Sequence, residues 1–161
     1  HESNKVIIED HLEIGYNYRM TDIQAAVGIE QLKKLDNIVL QRRAIAKKYL
    51  EAFADIETIR LPIEIDGYYT NWQSFSIYLK DNCDISRNEL MQVLLDKGIA
   101  TRRGVMTAHR ETAYANYSLL PHLPVSEDAA DRSIIIPLYV PMSEAEIQYV
   151  IKEFRTALKA N

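Results

Sequence analysis

The chain has 161 residues, 47% hydrophobic and 26% charged, with a formal net charge of −4. That balance suits an ordinary globular domain with a real core, and its sign gives no general attraction to nucleic acid or an anionic membrane. No apolar run reaches the roughly 18 residues of a membrane-spanning helix, and the single cysteine, Cys83, has no mate for an internal disulfide, as in a reducing cytoplasm. The chain opens on His1 rather than methionine, without a signal-peptide pattern, and is expected to be a piece of a longer protein.

Thr21-Asp22-Ile23-Gln24 has the form of a capping box, in which threonine hydroxyl and glutamine amide satisfy helix-start N–H groups reciprocally. Apolar residues then recur mostly every three or four positions, at Ile23, Val27, Leu32, Leu35, Ile38, Val39, Ile45, Ala46, Tyr49, Leu50 and Phe53. This spacing predicts one long amphipathic helix over about 22–54, roughly 50 Å if unbroken, with a tolerated break near Asp36-Asn37. The basic pairs Arg42-Arg43 and Lys47-Lys48 are expected on its solvated face. Glu57 to Leu61 reads as a short strand stopped by Pro62, and Asp66-Gly67 as a turn. Trp72 to Leu79 (WQSFSIYL) alternates large apolar and polar residues, the clearest strand in the chain.

Ser86-Arg87-Asn88-Glu89 is a second capping box, opening a helix with Leu90, Val93 and Leu94 on one face and Gly98 just past its end. Ile99 to Arg103 suits a returning strand. Thr107 to Pro124 reads as irregular with one short helix, Asp128 to Arg132 as another, and Ser133 to Leu138 as an apolar strand. Ser143-Glu144-Ala145-Glu146, a third capping box, starts a final helix to about Lys159 that faces the core with Ile147, Val150, Ile151, Phe154 and Leu158. No repeat, low-complexity tract or linker interrupts this order. It argues for an α+β domain with a long N-terminal helix and a small, mostly antiparallel sheet covered on one face by helices.

The approach to the first helix, EIGYNYRM, crowds unusual chemistry into a few positions. Gly15 lets backbone come close to a ligand. Asn17 donates from its amide, Arg19 offers a planar fork suited to phosphate, and Tyr16 and Tyr18 add ring faces and hydroxyls. The helix start behind them carries unpaired N–H groups and positive dipole. The cluster suits a phosphate-contacting corner, though taken by itself such a cluster is more often a tightly packed loop.

GYNYRMTDIQAAVGIEQLKKLD closely resembles a segment of the pyridoxal-phosphate-dependent sugar aminotransferases, the DegT/StrS family. The resemblance continues through DNIVLQRRAIAKKYLEAF, NWQSFSIYL, GIATRRGVMTAHRETAY and LPVSEDAADRSIIIPLYVPMSEAEIQYVIKEF, nearly the whole chain in order. It implies the C-terminal domain of a fold-type-I, aspartate-aminotransferase-like enzyme. Residues 1–20 would lead in from a large domain, and 21–161 would form the small one. It further implies a cytoplasmic homodimer with shared active sites, working in polysaccharide biosynthesis. Such an enzyme moves an amino group from a donor, usually glutamate, to a keto sugar on a nucleotide.

In that family the Schiff-base lysine, and the aspartate that pairs with the pyridine nitrogen, lie upstream of the GYNYRM segment. Residues 1–14 do not carry them, and Lys5, set in SNKVII, does not resemble the lysine motif. No catalytic residue is therefore assigned, and the chain alone is expected to be inactive. By position, Asn17 matches the asparagine that reaches across the dimer to the cofactor phosphate. Tyr16 and Arg19 are assigned to the cofactor with it, and Tyr18 to the substrate.

Thr101 to Gly104 with Ala108-His109 matches the region lining the sugar-nucleotide side of the pocket. Many members carry a tyrosine- and proline-rich version; RRGVMTAH stands here instead. Arg102 and Arg103 suit a diphosphate, and His109 a phosphate or hydroxyl. The plainer reading is a solvated surface for the arginines and packing for the histidine. His1, His11, His109 and His122 lack metal-ligand spacing, so no metal is expected. No nucleophile triad or glycine-rich phosphate loop can be assembled. The alternative to an enzyme is a non-catalytic regulatory or binding protein on the same scaffold, and the upstream lysine discriminates the two.

Overall fold

The computed structural model describes residues 16, 18–114 and 122–159. The chain divides between Leu35 and Asp36 into two units. In the first, α1 (Asp22–Leu32) starts as the capping box requires. Thr21 Oγ1 accepts from the Gln24 N–H at 3.3 Å, and Gln24 Oε1 accepts from the Thr21 N–H at 3.0 Å. No residue of α1 is buried, and Ile23, Val27, Ile29 and Leu32 are exposed.

The single helix anticipated over 22–54 is two, α1 and α2 (Leu35–Phe53), and the break falls at Lys33-Lys34, ahead of the tolerated position. The Lys34 N–H turns to Gln31 O at 3.0 Å, tightening the end of α1. Asp36 then sits in the first turn of α2, where a carboxylate complements the positive end of the helix dipole.

The second unit is built on a four-stranded sheet, β1 (Ile59–Arg60), β2 (Phe75–Leu79), β3 (Arg102–Arg103) and β4 (Ser133–Ile136), in the order β1-β2-β4-β3. All three pairings are antiparallel. The register sets Phe75 opposite Ile136 and Ile77 opposite Ile134, so period-two alternation gathers these large residues on one face. That face packs against α2, α3 (Arg87–Asp96) and α5 (Glu144–Lys159). Tyr49, Phe53, Phe75, Phe154, Leu90 and Leu94 are among its fully buried side chains. The aromatic rings form a chain, with centroids 5.3 Å apart for Tyr49–Phe75, 5.8 Å for Tyr49–Phe53 and 5.0 Å for Phe53–Phe154. Tyr49 satisfies its buried hydroxyl by donating to Pro137 O at 2.8 Å, and burial pushes its pKa up.

The second face of the sheet also meets a helix. Tyr78 points away from Ile77 and donates its hydroxyl to Asp128 of α4 (Pro124–Arg132) at 2.6 Å. This helix begins earlier than the Asp128 start read from the sequence, because proline at the first helical positions needs no N–H partner. Among its described residues, the segment after Thr107 holds two short 3-10 turns, Ala108–Arg110 and Thr112–Tyr114. Gly98, at φ +74°, closes α3: the Gly98 N–H donates to Leu95 O and the Ile99 N–H to Leu94 O, the paired bonds of a Schellman end.

Candidate functional site

In the first unit, the cofactor-side residues precede α1. Asn17 lies outside the described residues. Tyr16 and Tyr18 are 78% and 88% exposed, with ring centroids 5.8 Å apart. Arg19 is exposed beside them. The Thr21 cap takes the Gln24 N–H, leaving the N–H groups of Asp22 and Ile23 without an acceptor among the described residues. Phenols, a guanidinium and helix-start N–H groups form a donor set that fits the phosphate end of pyridoxal phosphate. They offer no amine for its aldehyde carbon and no carboxylate for its ring nitrogen.

In the second unit, β3 presents Arg102 and Arg103 in succession. Neighbouring strand residues point to opposite faces, so the two arginines serve different surroundings. Arg103 lies 3.7 Å from Glu111. Its charge also reaches Arg87, whose pKa is lowered first by burial, then by Arg103, with Asp131 opposing and Arg110 adding. Arg87 is held by Ala130 O at 3.0 Å and Asn88 Oδ1 at 2.7 Å, and Arg110 by Asp131 at 3.0 Å. Arg103 therefore belongs to a group of three cations partly balanced by two carboxylates.

His109 stands at the end of the same loop. Its Nε2 is 2.9 Å from Glu127 Oε1, and the other oxygen of that carboxylate is 3.4 Å from His122 Nε2. The Leu123 N–H donates to Glu127 at 2.8 Å. That bond first, and His109 second, hold the Glu127 pKa below the usual range, so the group stays ionised. An ionised carboxylate only accepts, so His109 donates to it from Nε2. Glu127 thereby ties His109, in the loop that follows β3, to His122 beside α4.

Arg102 faces away from these groups. With Arg42 and Gln73 it lines a concavity of about 300 Å³, and it also borders an adjoining apolar groove of about 750 Å³ walled by Tyr139, Tyr149 and Met142. Arg42 and Arg43 are half-buried rather than solvated, as the helix periodicity had placed them. Arg42 Nη1 donates to the carbonyls of Trp72 and Gln73, at 3.1 and 2.8 Å. Arg43 forks onto Glu64 at 2.8 and 2.9 Å, donates to Thr70 O at 2.6 Å and lies 3.9 Å over the Tyr69 ring.

Between these anchors Trp72 sits at φ +50°, an unusual conformation for a bulky residue, while its buried ring stacks 5.6 Å from Phe75. The strand read over Trp72–Leu79 therefore begins only at Phe75. Sequence reasoning missed Arg42 and Gln73 as neighbours of Arg102. The adjacent Arg-Arg pair was the available signal, and helical periodicity masked it. Among the described residues, no cluster with metal-ligand character occurs, and no helix is long and apolar enough to cross a membrane.

A family model described as the DegT/DnrJ/EryC1/StrS aminotransferase family matches residues 2–155. Solved aminotransferases share the fold. The aminotransferase TlmJ from Streptoalloteichus hindustanus is 25% identical with a TM-score of 0.81, over 94% of this chain and 40% of that one. A DegT DnrJ EryC1 StrS aminotransferase from Brucella abortus is 33% identical with a TM-score of 0.75, over 93% of this chain and 39% of that one. DesV from S. venezuelae is 27% identical with a TM-score of 0.80, over 93% of this chain and 40% of that one. This chain thus spans about 40% of the length of the structures it matches. Those neighbours are fold-type-I aminotransferases, and the small antiparallel sheet with its helices corresponds to part of them.

Proposed function

Because the chain belongs to the DegT/DnrJ/EryC1/StrS aminotransferase family, we propose that the intact protein moves an amino group from a donor, glutamate in the first instance, to a keto sugar carried on a nucleotide. The observation that carries this reading is the family match across residues 2–155. Pyridoxal phosphate is the cofactor the reading requires; when bound, it supplies the electron sink for breaking and making the carbon–nitrogen bonds.

In this reading the intact protein is a cytoplasmic homodimer with shared active sites. Asn17, Tyr16 and Arg19 hold the cofactor phosphate, with Asn17 reaching into the neighbouring subunit's site. Tyr18 is assigned to the substrate, and in the second unit Arg102 on one face of β3, Arg103 on the other, and His109 are each assigned to the sugar nucleotide. Arginine forks neutralise phosphate charge and fix its orientation. His109, held at Nε2 by Glu127, is the group set toward a phosphate or hydroxyl of the substrate. No lysine of this chain matches the family's Schiff-base lysine, so in this reading these residues bind and orient without turning over substrate.

The test is spectroscopic. Full-length protein supplied with pyridoxal phosphate should gain visible absorbance, and glutamate should bleach it. A folded full-length protein that stays colourless with excess cofactor overturns the enzymatic reading and favours a regulatory or binding role on the same scaffold.

A further inference from the structure

The concavity that Arg102 shares with Arg42 and Gln73 has three properties that together specify a ligand class. It is small, about 300 Å³, and no carboxylate among the described residues lines it. Arg102 is exposed, and its side chain has no hydrogen-bond or ion-pair partner among the described residues. Arg42 engages the Trp72 and Gln73 carbonyls through Nη1, leaving Nε and Nη2 without acceptors among the described residues. The remaining wall is apolar, from Ile135, Pro137 and Leu138.

Two guanidinium groups facing one space repel each other. An apolar wall lowers the local dielectric and strengthens both that repulsion and the attraction of any anion between them. The left-handed backbone at Trp72 is pinned on both sides: Arg42 grips the carbonyls, and the Asn71 side chain accepts from the Gln73 N–H at 3.0 Å. The rim residue Gln73 is thus fixed where its amide can complete an oxyanion's donors, a strained turn held at a ligand site.

We propose that this concavity is an oxyanion pocket, distinct from the Arg103 group, that receives a carboxylate or a phosphate of one of the reactants. The assignment rests on the aminotransferase reading for the identity of those reactants. The shared chemistry is a small, multiply oxygenated anion held by charge-assisted hydrogen bonds. Its two sources are the carboxylate of the amino donor and the phosphates of the nucleotide.

The experiment is a pair of NMR titrations of the 161-residue chain at low salt, one with glutarate and one with inorganic pyrophosphate. Resonances of the Arg42 and Arg102 Nε–H groups and the Gln73 side-chain amide are followed. Saturable shifts confined to these groups support the pocket; saturation by glutarate alone assigns the donor carboxylate, and by pyrophosphate alone the nucleotide. Arg102→Ala should weaken the responding anion about tenfold or more. Gln73→Ala should weaken it less, and Lys152→Ala, a change on exposed α5, should leave it unaltered. Circular dichroism verifies that each variant folds.

Absence of saturable shifts, shifts centred on Arg103 and Arg110, or an Arg102→Ala variant that binds normally overturns the proposal. The titration needs no cofactor. Its failure leaves the enzymatic reading standing, and a colourless full-length protein leaves the pocket standing.

Discussion

Gly104 shows how one missing side chain can position a loop. A Cβ added there would lie 2.3 Å from Ser133 Cβ and 2.7 Å from Ser76 Oγ. Its N–H donates to Ser133 O at 2.9 Å, extending the β3–β4 pairing by one bond beyond the strand itself. Ser133 is buried and belongs to a strand, so it has little freedom to yield. Gly104→Ala should therefore destabilise the second unit by about 1–3 kcal/mol, the usual cost of overpacking. It should also displace the loop that leads to His109. Urea unfolding reads the first effect, and the chemical shift of the His109 ring reads the second. An unchanged unfolding midpoint would mean that the strands part easily and that the close approach is incidental.

Elements are joined by few but specific contacts, and the clasp between the end of α2 and α5 is the clearest. Arg155 forks onto Asp55, 2.7 Å to each carboxylate oxygen, and also donates to Ala52 O. The hydrogen bond from Arg155, more than its charge, pulls the Asp55 pKa down to about 2. A carboxyl depressed on folding adds stability above its unfolded pKa, and that contribution disappears as pH falls through the folded value. Asp55→Asn should melt below the parent chain at neutral pH, by a small margin because the pair is exposed. The margin should close between about pH 4 and pH 2. Thermal melts of both proteins across that range decide it, and a margin independent of pH would remove the ion pair from the account.

The same contacts mark what the sequence could and could not disclose. All three capping boxes form, because each is settled within four residues: Ser86 with Glu89, and Ser143 with Glu146, repeat the pattern at Thr21. Gly98 ends α3 for an equally local reason. Alternation located β2, but not its start, because Trp72 is held out of the strand by Arg42, thirty residues earlier. Periodicity likewise set Arg42 and Arg43 among solvated residues, since it registers only what is polar and not what the 64–73 loop brings back over the helix. Of the residues assigned by resemblance, Arg102 and Arg103 are adjacent in sequence, yet alternation sends them to different neighbours, which only the strand could reveal.

For the molecule as a whole, the core runs from Ile45 on α2 to Ala157 on α5, and among the described residues no member of it precedes Ile45. The division at Leu35–Asp36 therefore separates a unit with its own core from a stretch whose described helix buries nothing. Burial of apolar surface is the main source of stability, so residues 36–161 should fold without the preceding segment. The expected result is a single cooperative urea transition for residues 36–161, with a midpoint close to that of the 161-residue chain. Arg42, Gln73 and Arg102 all lie within this part, so its response to the anion titrations should persist. Ile23, Val27, Ile29 and Leu32 expose a run of apolar surface, the kind that drives association. Sedimentation should accordingly show the 161-residue chain associating more strongly with concentration than residues 36–161. A truncated chain that never unfolds cooperatively would show that α1 contributes to the core's integrity. Equal association of the two chains would move the self-associating surface into the second unit, where Ile63, Ile65, Tyr68 and Tyr69 form the next exposed apolar group.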